Sequence, residues 1–211
     1  MRYNELTFQG RNAVLEAFRS GKTIDKLFIL DGCQDGPIKS IVREAKKTDA
    51  IINYVDKERL DRLAGTGHHQ GVVAIGAAYE YAEVDDILAS AKEKGEDPFI
   101  FILDEIEDPH NLGAIIRTAN LAGAHGVIIP KRRAVGLTAT VAKTSAGAIN
   151  YTPVAKVTNI SQTIEELKKQ GLWFVCADMG GETMYNLNLK GPIGLVIGNE
   201  GNGVSRLVKD K

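Results

Sequence analysis

The second part of the sequence alternates short apolar runs with helical patterns, and this alternation constrains the fold most strongly. The runs at 99–103, 126–130, 172–177 and 193–198 are apolar almost throughout, which is typical of strands buried on both faces of a sheet. The helical patterns between them cover 111–123, 136–148 and 160–171. Strands joined by helices of this length predict βαβ units and an open parallel sheet, so we expect an α/β fold.

The first part of the chain repeats this alternation on a smaller scale. Its predicted strands cover 26–30, 51–55 and 71–77, and its predicted helices cover 12–21, 38–49 and 57–65. We therefore predict a small α/β domain over 1–78, an acidic linker with one helix (84–94) over 79–97, and a larger α/β domain over 98–211. The final "VSRLVKDK" begins a helix that has no cap before Lys211, so we expect the larger domain to be truncated at its C-terminus.

The net charge of −1 hides a strong asymmetry along the chain. Residues 80–108 contain eleven acidic residues and two lysines, whereas residues 126–158 contain five basic residues and no acidic one. Such a basic stretch predicts either a phosphate-binding surface or a solvated loop, and the sequence leaves both open.

Three features of the sequence bear on cellular location. The N-terminus lacks the apolar core of a signal peptide, and the apolar runs are too short to span a membrane. Cys33 and Cys176 lie far apart without metal-ligand spacing, which favours a reducing compartment. We therefore expect a cytoplasmic protein with no membrane partner.

One arginine stands alone in the helical segment "HNLGAIIRTANLAGA" at 110–124. Arg117 lies about 140° around the helix axis from Leu112, away from the apolar stripe of the helix. Its neighbours on that side are small or apolar, so we expect the helix to pack on both sides and Arg117 to face an interface, a cleft or a partner. A structural ion pair with Asp108 or Glu107 is the alternative. Asn111 is suited to cap the start of this helix.

Two glycine-rich segments are candidate ligand loops. "GNEGNG" at 198–203 follows a buried strand, and Glu200 is its single charge. Its spacing is neither that of a dinucleotide loop nor that of a Walker loop, so it indicates a small-ligand site or a tight turn. "GTGHHQG" at 65–71 contains adjacent histidines that make a poor metal pair, so we expect no metal there and leave RNA contact and an inert turn open.

Together these segments resemble a known family. "DEIEDPHNLGAIIRTANLAGAHGVIIP" and "GLVIGNEGNGVSRL" are similar to two signatures of the SPOUT-class RNA ribose 2′-O-methyltransferases, the SpoU or TrmH family. "FQGRNAVLEAFRSG", "IDKLFI" and "LAGTGHHQGVVA" are similar to the RNA-binding domain of bacterial 23S ribosomal RNA guanosine 2′-O-methyltransferases. The resemblance implies an L30e-like N-terminal domain, a SPOUT α/β-knot domain with a parallel sheet, a homodimer, and S-adenosylmethionine as methyl donor without a metal.

The resemblance also implies roles for individual residues. The predicted catalytic residues are Arg117, Asn111 and Glu200. The predicted donor-binding residues are Met179, Gly180, Ile197, Gly198, Asn199, Glu200 and Gly201. The predicted RNA-binding residues are Arg11, His68, His69, Gln70, Lys131, Arg132, Arg133 and Lys143.

The chain departs from the family pattern at one point. The family's third signature, a loop and final helix that complete the donor pocket and the knot, is absent here, so we expect an incomplete knot. The resemblance implies methyl transfer to a guanosine of 23S ribosomal RNA. A transfer RNA substrate, a non-catalytic RNA-binding protein and an unrelated nucleotide-binding protein are the alternatives.

Overall fold

A computed structural model describes residues 6–48, 50–65 and 67–211. The chain divides into two compact units, one reaching to Glu80 and including Leu137–Ala139, the other formed by Tyr81–Gly136 and Thr140–Lys211. Within the described ranges, no helix combines the length and the apolar character that crossing a membrane requires.

The first unit is a four-stranded mixed sheet with three helices. Its strands are β1 (Leu6–Gln9), β2 (Ile24–Leu30), β3 (Ile51–Val55) and β4 (Val72–Gly76), and its helices are α1 (Arg11–Arg19), α2 (Gly36–Lys47) and α3 (Lys57–Ala64). The sheet order is β1-β4-β2-β3, with β4 antiparallel to both of its neighbours and β2 parallel to β3. The predicted elements are present, β1 was not predicted, and Asp49, the last residue of one predicted helix, lies outside the described residues.

The second unit is a five-stranded, wholly parallel sheet, as predicted. Its strands are β5 (Phe99–Leu103), β6 (Gly126–Pro130), β7 (Val154–Val157), β8 (Trp173–Ala177) and β9 (Ile193–Ile197). Its helices are α4 (Val84–Lys94), α5 (Pro109–Leu121), α6 (Ala139–Thr144), α7 (Ile160–Lys169) and α8 (Arg206–Lys209). The strand order is β7-β6-β5-β9-β8. The helix predicted over 136–148 is confined to α6, because Ala146 and Gly147 adopt φ of 51° and 90° and end it.

One cluster of buried side chains packs the sheet of the second unit against α4, α7 and α8. Ile100, Ile102 and Val196 from the strands are buried with side chains from α4, α7 and α8. Ile87 of α4 is completely buried there, and a Cβ added at Gly126 would lie 2.6 Å from its Cδ1 atom. The acidic segment predicted as a linker over 79–97 therefore places its helix within the second unit.

Candidate functional site

The candidate site lies where three parallel strands of the second unit end. Leu103 of β5 and Ala177 of β8 both pair with Ile197 of β9. The segments that follow these strands therefore emerge at one edge of the sheet, at the carboxyl ends where open α/β sheets bind ligands. They are the acidic loop 104–108, the segment 178–181 and the glycine-rich loop 198–203.

Asp104 fastens the glycine-rich loop to the end of β5. Its side chain is buried, and its Oδ2 atom accepts a hydrogen bond from the Ser205 backbone N–H at 2.7 Å. Its own N–H donates to the Ile197 carbonyl at 2.8 Å. A charged acceptor makes a short and strong hydrogen bond, so Asp104 holds both ends of the loop in place. Asp104 was not among the predicted site residues, although an acidic residue directly after a buried strand was the available signal.

Asn199 organises the loop from within. Its side-chain oxygen accepts hydrogen bonds from the N–H groups of Gly201 and Asn202 at 2.9 and 3.3 Å. Its side-chain nitrogen donates to the Glu105 carbonyl at 3.0 Å. This bond stabilises the unusual backbone of Glu105, whose φ is 57° in a residue other than glycine. The loop and the β5–α5 connection are therefore braced against each other.

Gly198 is required by this packing. A Cβ atom added there would lie 2.1 Å from the Gly203 carbonyl carbon and 2.1 Å from the Val204 nitrogen. Both contacts involve backbone atoms, which cannot move aside without opening the loop. The loop closes through two hydrogen bonds between Asn199 and Gly203, at 3.0 and 2.8 Å.

The structure brings the predicted residues Asn111 and Glu200 together. The Asn111 side-chain nitrogen donates to Glu200 Oε2 at 3.3 Å. The prediction that Asn111 caps the helix is wrong, because α5 begins at Pro109 and its cap is Asp108, which accepts a hydrogen bond from the His110 N–H at 2.6 Å. Asn111 lies in the first turn, and its side chain is thus available to the site.

Arg117 lies on the exposed side of α5 in the single chain. Leu112, Ile116 and Ala119 of the opposite side are completely buried. The helix therefore packs on one side in the chain, not on both as expected. Within the described ranges Arg117 forms no ion pair, so the alternative of a structural pair with Asp108 or Glu107 is not realised.

The position of α5 depends on a close approach to α6. A Cβ added at Gly113 would lie 1.9 Å from Oγ1 and 2.7 Å from Cβ of Thr144. Thr144 Oγ1 in turn donates to the Thr140 carbonyl at 2.9 Å. Gly113 therefore allows the helix that carries Asn111 and Arg117 to pack directly against its neighbour.

Part of the basic stretch at 126–158 is engaged in an ion pair with the acidic loop. Arg133 pairs with Glu105 at 2.9 Å, and Glu105 raises the pKa of the Arg133 guanidinium through this hydrogen bond and through its charge. Arg132 and Lys143 are exposed, and Lys131 is half-buried. The pair links the loop that follows β6 to the loop that carries Asp104.

An apolar cavity of about 780 Å³ lies along β5, β8 and β9. Its lining includes Phe101, Val175, Cys176, Leu195 and Gly181. The predicted donor-binding residues Met179 and Gly180 follow β8 and are exposed, Met179 to 96%. None of the seven predicted donor-binding residues lines this cavity. 

An ion pair ties the end of β8 to α8. Asp178 lines the cavity and pairs with Lys209. The hydrogen bond from Lys209 lowers the pKa of Asp178, and Asp178 raises the pKa of Lys209. The helix that follows the glycine-rich loop is thus linked to the strand beside the cavity.

In the first unit, His69 is buried and its two ring nitrogens are engaged. Its Nδ1 accepts a hydrogen bond from the Gly71 N–H at 3.0 Å, so Nε2 carries the proton and donates to Asp61 at 3.0 Å. These contacts correct the prediction of direct RNA contact for His69, because its ring has no free polar atom to offer. His68, Gln70 and the half-buried Arg11 lie at the surface.

Comparison with known proteins places both units in related families. Residues 98–211 match the SpoU rRNA methylase family, and residues 9–82 match the RNA 2′-O ribose methyltransferase substrate-binding family. The chain is 52% identical over 203 residues to YacO of Bacillus subtilis, a protein assigned to the TrmH family of tRNA/rRNA methyltransferases, with 96% of this chain and 81% of YacO covered. A Staphylococcus haemolyticus protein assigned to the same family is 49% identical over 208 residues, with 98% and 83% covered.

Solved structures share the fold. An AdoMet-bound rRNA methyltransferase from Sinorhizobium meliloti superposes with a TM-score of 0.54 at 22% identity, with 98% of this chain and 75% of that chain covered. The SpoU methyltransferase AviRb from Streptomyces viridochromogenes, in complex with AdoMet, gives 0.56 at 20% identity, with 98% and 77% covered. From the family match over more than half of its length and from its similarity to YacO, this chain belongs to the SpoU family of RNA methyltransferases.

Proposed function

We propose that this protein transfers a methyl group from S-adenosylmethionine to a ribose 2′-hydroxyl of RNA, with a guanosine of 23S ribosomal RNA as its target. We further propose that it acts in the cytoplasm as a homodimer. The contact between Asn111 and Glu200 at the edge of the parallel sheet carries this proposal. It unites the two predicted signature segments beside a glycine-rich loop, in a chain whose first unit matches an RNA substrate-binding family.

The residues present fit the methyl donor. Gly201 is exposed in the loop at 198–203 and has no side chain, so a ligand can approach the loop backbone closely at the strand ends where open α/β sheets bind ligands. When bound, the donor supplies a methyl group already activated by a positively charged sulfur. The residues proposed to hold it are Met179, Gly180, Ile197, Gly198, Asn199, Glu200 and Gly201.

The protein must then position the ribose and stabilise the hydroxyl as it loses its proton. Asn111 engages Glu200 Oε2, which leaves Oε1 able to accept a hydrogen bond from a ribose hydroxyl. A guanidinium group is a poor general base. We assign Arg117 to stabilising negative charge on the ribose oxygen or on an adjacent phosphate.

A homodimer accounts for the exposed side of α5. Leu121 is 82% exposed and Tyr151 is 81% exposed. The hydrogen bond from Asn120 to Thr152 at 3.0 Å brings their segments together, so the two exposed side chains can contribute to one apolar patch. Arg117 shares the exposed side of α5 with Leu121. A second copy that covers this side would bring Arg117 into an enclosed site.

Basic and polar side chains of both units are proposed to bind the RNA. In the second unit they are Lys131, Arg132, Arg133 and Lys143, and in the first unit we retain Arg11, His68 and Gln70. Contacts of the lysines and arginines of the second unit with phosphate would position the RNA, whereas unpaired bases supply sequence discrimination.

A methylation assay tests the proposal. The protein is incubated with radiolabelled S-adenosylmethionine and either 23S ribosomal RNA or bulk transfer RNA, and the modified nucleoside is identified by mass spectrometry. We expect 2′-O-methylguanosine in ribosomal RNA, a loss of at least 100-fold in rate for Arg117→Ala, and an unchanged rate for the control Arg19→Ala.

Other outcomes would show which part of the proposed function is wrong. Label in transfer RNA alone would refute the ribosomal target but keep the chemistry. An unchanged rate in Arg117→Ala would refute its role. Salt-sensitive RNA binding with no donor binding in calorimetry would indicate a non-catalytic RNA-binding protein.

A further inference from the structure

We propose that the first unit holds one unpaired RNA base in a cavity of about 570 Å³ between the first turns of α1 and α2 and the turn at 68–71. This inference rests on the proposed function in that it takes RNA as the substrate. It adds a specific site to the first unit and a specific element of RNA that the site binds.

The cavity has a defined wall and a size that suits a nucleotide. It is lined by Arg11, Asn12, Leu30, Cys33, Pro37, Gln70 and Gly71. The Leu30 N–H donates to the Gly71 carbonyl at 2.9 Å, and the Cys33 N–H donates to the Leu30 carbonyl at 3.0 Å. Side chains of Leu30, Cys33 and Pro37 give it an apolar surface, and its volume lies within the usual range of small-molecule sites.

The turn that closes the cavity is held in an unusual conformation. Gln70 has a φ of 51°, which side chains other than glycine rarely adopt. The buried His69 fixes this turn through its bonds to Gly71 and Asp61, both at 3.0 Å. Gln70 Oε1 also accepts a hydrogen bond from the Arg11 N–H at 3.1 Å. Rigidly held, strained backbone of this kind concentrates at ligand sites.

The charge of the cavity favours a base over a phosphate. The Arg11 guanidinium pairs with Asp35 at 2.5 Å through one terminal nitrogen, and its Nε donates to the Gln70 carbonyl at 3.2 Å. Its charge is therefore already balanced by a carboxylate that would repel a phosphate group. What Arg11 still offers is a flat, fixed face, on which an unpaired base can stack.

The cavity also offers polar groups for the edge of a base. The Asn12 side-chain amide and the Gln70 side-chain nitrogen make no hydrogen bond within the ranges that the structure describes. Asn12 provides one donor group and one acceptor, and Gln70 provides a donor. This combination matches the mixed donors and acceptors on the edge of an unpaired base.

Protection of Cys33 is the first test. The protein has two cysteines, so the Cys176→Ser variant carries Cys33 as its single thiol, at the cavity wall. Its rate of reaction with a maleimide is measured alone, with a hairpin RNA that has an unpaired loop, and with a blunt duplex of the same stem. We expect the hairpin to slow the reaction at least fivefold and the duplex to leave it unchanged. Equal rates in all three conditions would overturn the proposal, as would equal protection by hairpin and duplex.

Substitutions at the cavity are the second test. Asn12→Ala removes a side chain that makes no hydrogen bond within the described residues, and Arg11→Lys keeps the positive charge but removes the flat guanidinium. We expect each substitution to weaken hairpin binding by about tenfold, which corresponds to the loss of one stacked or recognised base. We expect neither to affect duplex binding. Arg19→Ala, at the other end of α1, is the control for loss of a positive charge. Hairpin affinity that falls only in Arg19→Ala would mean that general charge attracts the RNA, and would refute the cavity.

Failure of this inference can be distinguished from failure of the proposed function. Methyl transfer with an unprotected Cys33 would refute the base-binding cavity and leave the function intact. Selective protection of Cys33 by the hairpin, without any methyl transfer, would support the cavity and refute the proposed chemistry.

Discussion

The packing of α5 against α6 makes Gly113→Ala an informative substitution. The added Cβ would lie 2.7 Å from Thr144 Cβ, about 0.7 Å closer than the 3.4 Å at which ordinary contact begins. Rotation of the Thr144 side chain cannot move its own Cβ, so one helix must shift. Overpacking of this kind costs about 1–3 kcal/mol, whereas replacing glycine by alanine within a helix regains up to about 1 kcal/mol.

We therefore expect the second unit to lose roughly 1–2 kcal/mol of its free energy of unfolding, which lowers its melting temperature by roughly 3–8 °C. Trp173 is the single tryptophan of the chain and lies in the second unit, so its fluorescence reports this transition. Methyl transfer should fall further than stability alone explains, because Gly113 lies between Asn111 and Arg117.

Two further variants complete the experiment. Gly36→Ala, a helix-start glycine whose added Cβ meets no atom within 4 Å, should leave the Trp173 transition unchanged. Thr144→Gly removes the obstructing Cβ, so combining it with Gly113→Ala should recover part of the lost stability in a double-mutant cycle. An unchanged or higher melting temperature for Gly113→Ala alone would refute the described contact between the two helices.

Three other predictions follow from the site. Gly198→Ala, whose Cβ would meet backbone atoms at 2.1 Å, should abolish calorimetric binding of S-adenosylhomocysteine, whereas Gly36→Ala should bind it normally. Because Lys209 lowers the pKa of Asp178, their pair stabilises the fold above the unfolded-state pKa of about 3.9 and loses this effect as the pH falls through the lower folded-state value. The difference in urea unfolding between Asp178→Asn and the unmodified protein should therefore disappear in acid; a constant difference would contradict the pairing. Leu121→Glu should convert the proposed dimer to a monomer in sedimentation velocity, and a persisting dimer would exclude this side of α5 as the interface.

The sequence was most informative where local pattern alone decides structure. The apolar run at 99–103 predicted β5 because strands of a parallel sheet are buried on both faces. The strand β1 was missed because Leu6–Gln9 has only four residues and is partly exposed, so its pattern is short. The helix over 136–148 was predicted too long, because no sequence pattern signals the positive φ of Ala146.

The sequence contained a signal for the start of α5 that was not used in the prediction. Asp108 and Asn111 are both residue types suited to cap a helix, and Asn111 was the predicted cap. Proline is favoured at the first position of a helix, so Pro109 points to Asp108 as the cap. The structure follows this rule, and Asn111 is released to contact Glu200.

The contacts that assemble the site could not be predicted from local sequence patterns. Asp104 and Ser205 are separated by 101 positions in the chain, and Asn111 and Glu200 by 89. Spacing along a sequence cannot pair such residues, since their proximity depends on the order of strands in the sheet. β5 and β9 are neighbours in space although three strands intervene between them in the chain. Only the resemblance to a family predicted that the segments containing Asn111 and Glu200 belong to one site.

Arg117 marks the limit of reasoning from a single chain. A helix face without lysine or glutamate was taken to indicate burial, yet the chain exposes both Arg117 and Leu121. The residue types on a helix face depend on everything that contacts that face in the working protein, including any second copy. The exposure seen in a single chain does not include such a copy. Burying Leu121 against a partner would remove apolar surface from water and enclose the guanidinium, where its interaction with a phosphate or ribose oxygen becomes stronger than in solvent. The same contact would then stabilise the assembly and activate the arginine, so loss of the dimer and loss of methyl transfer should occur together.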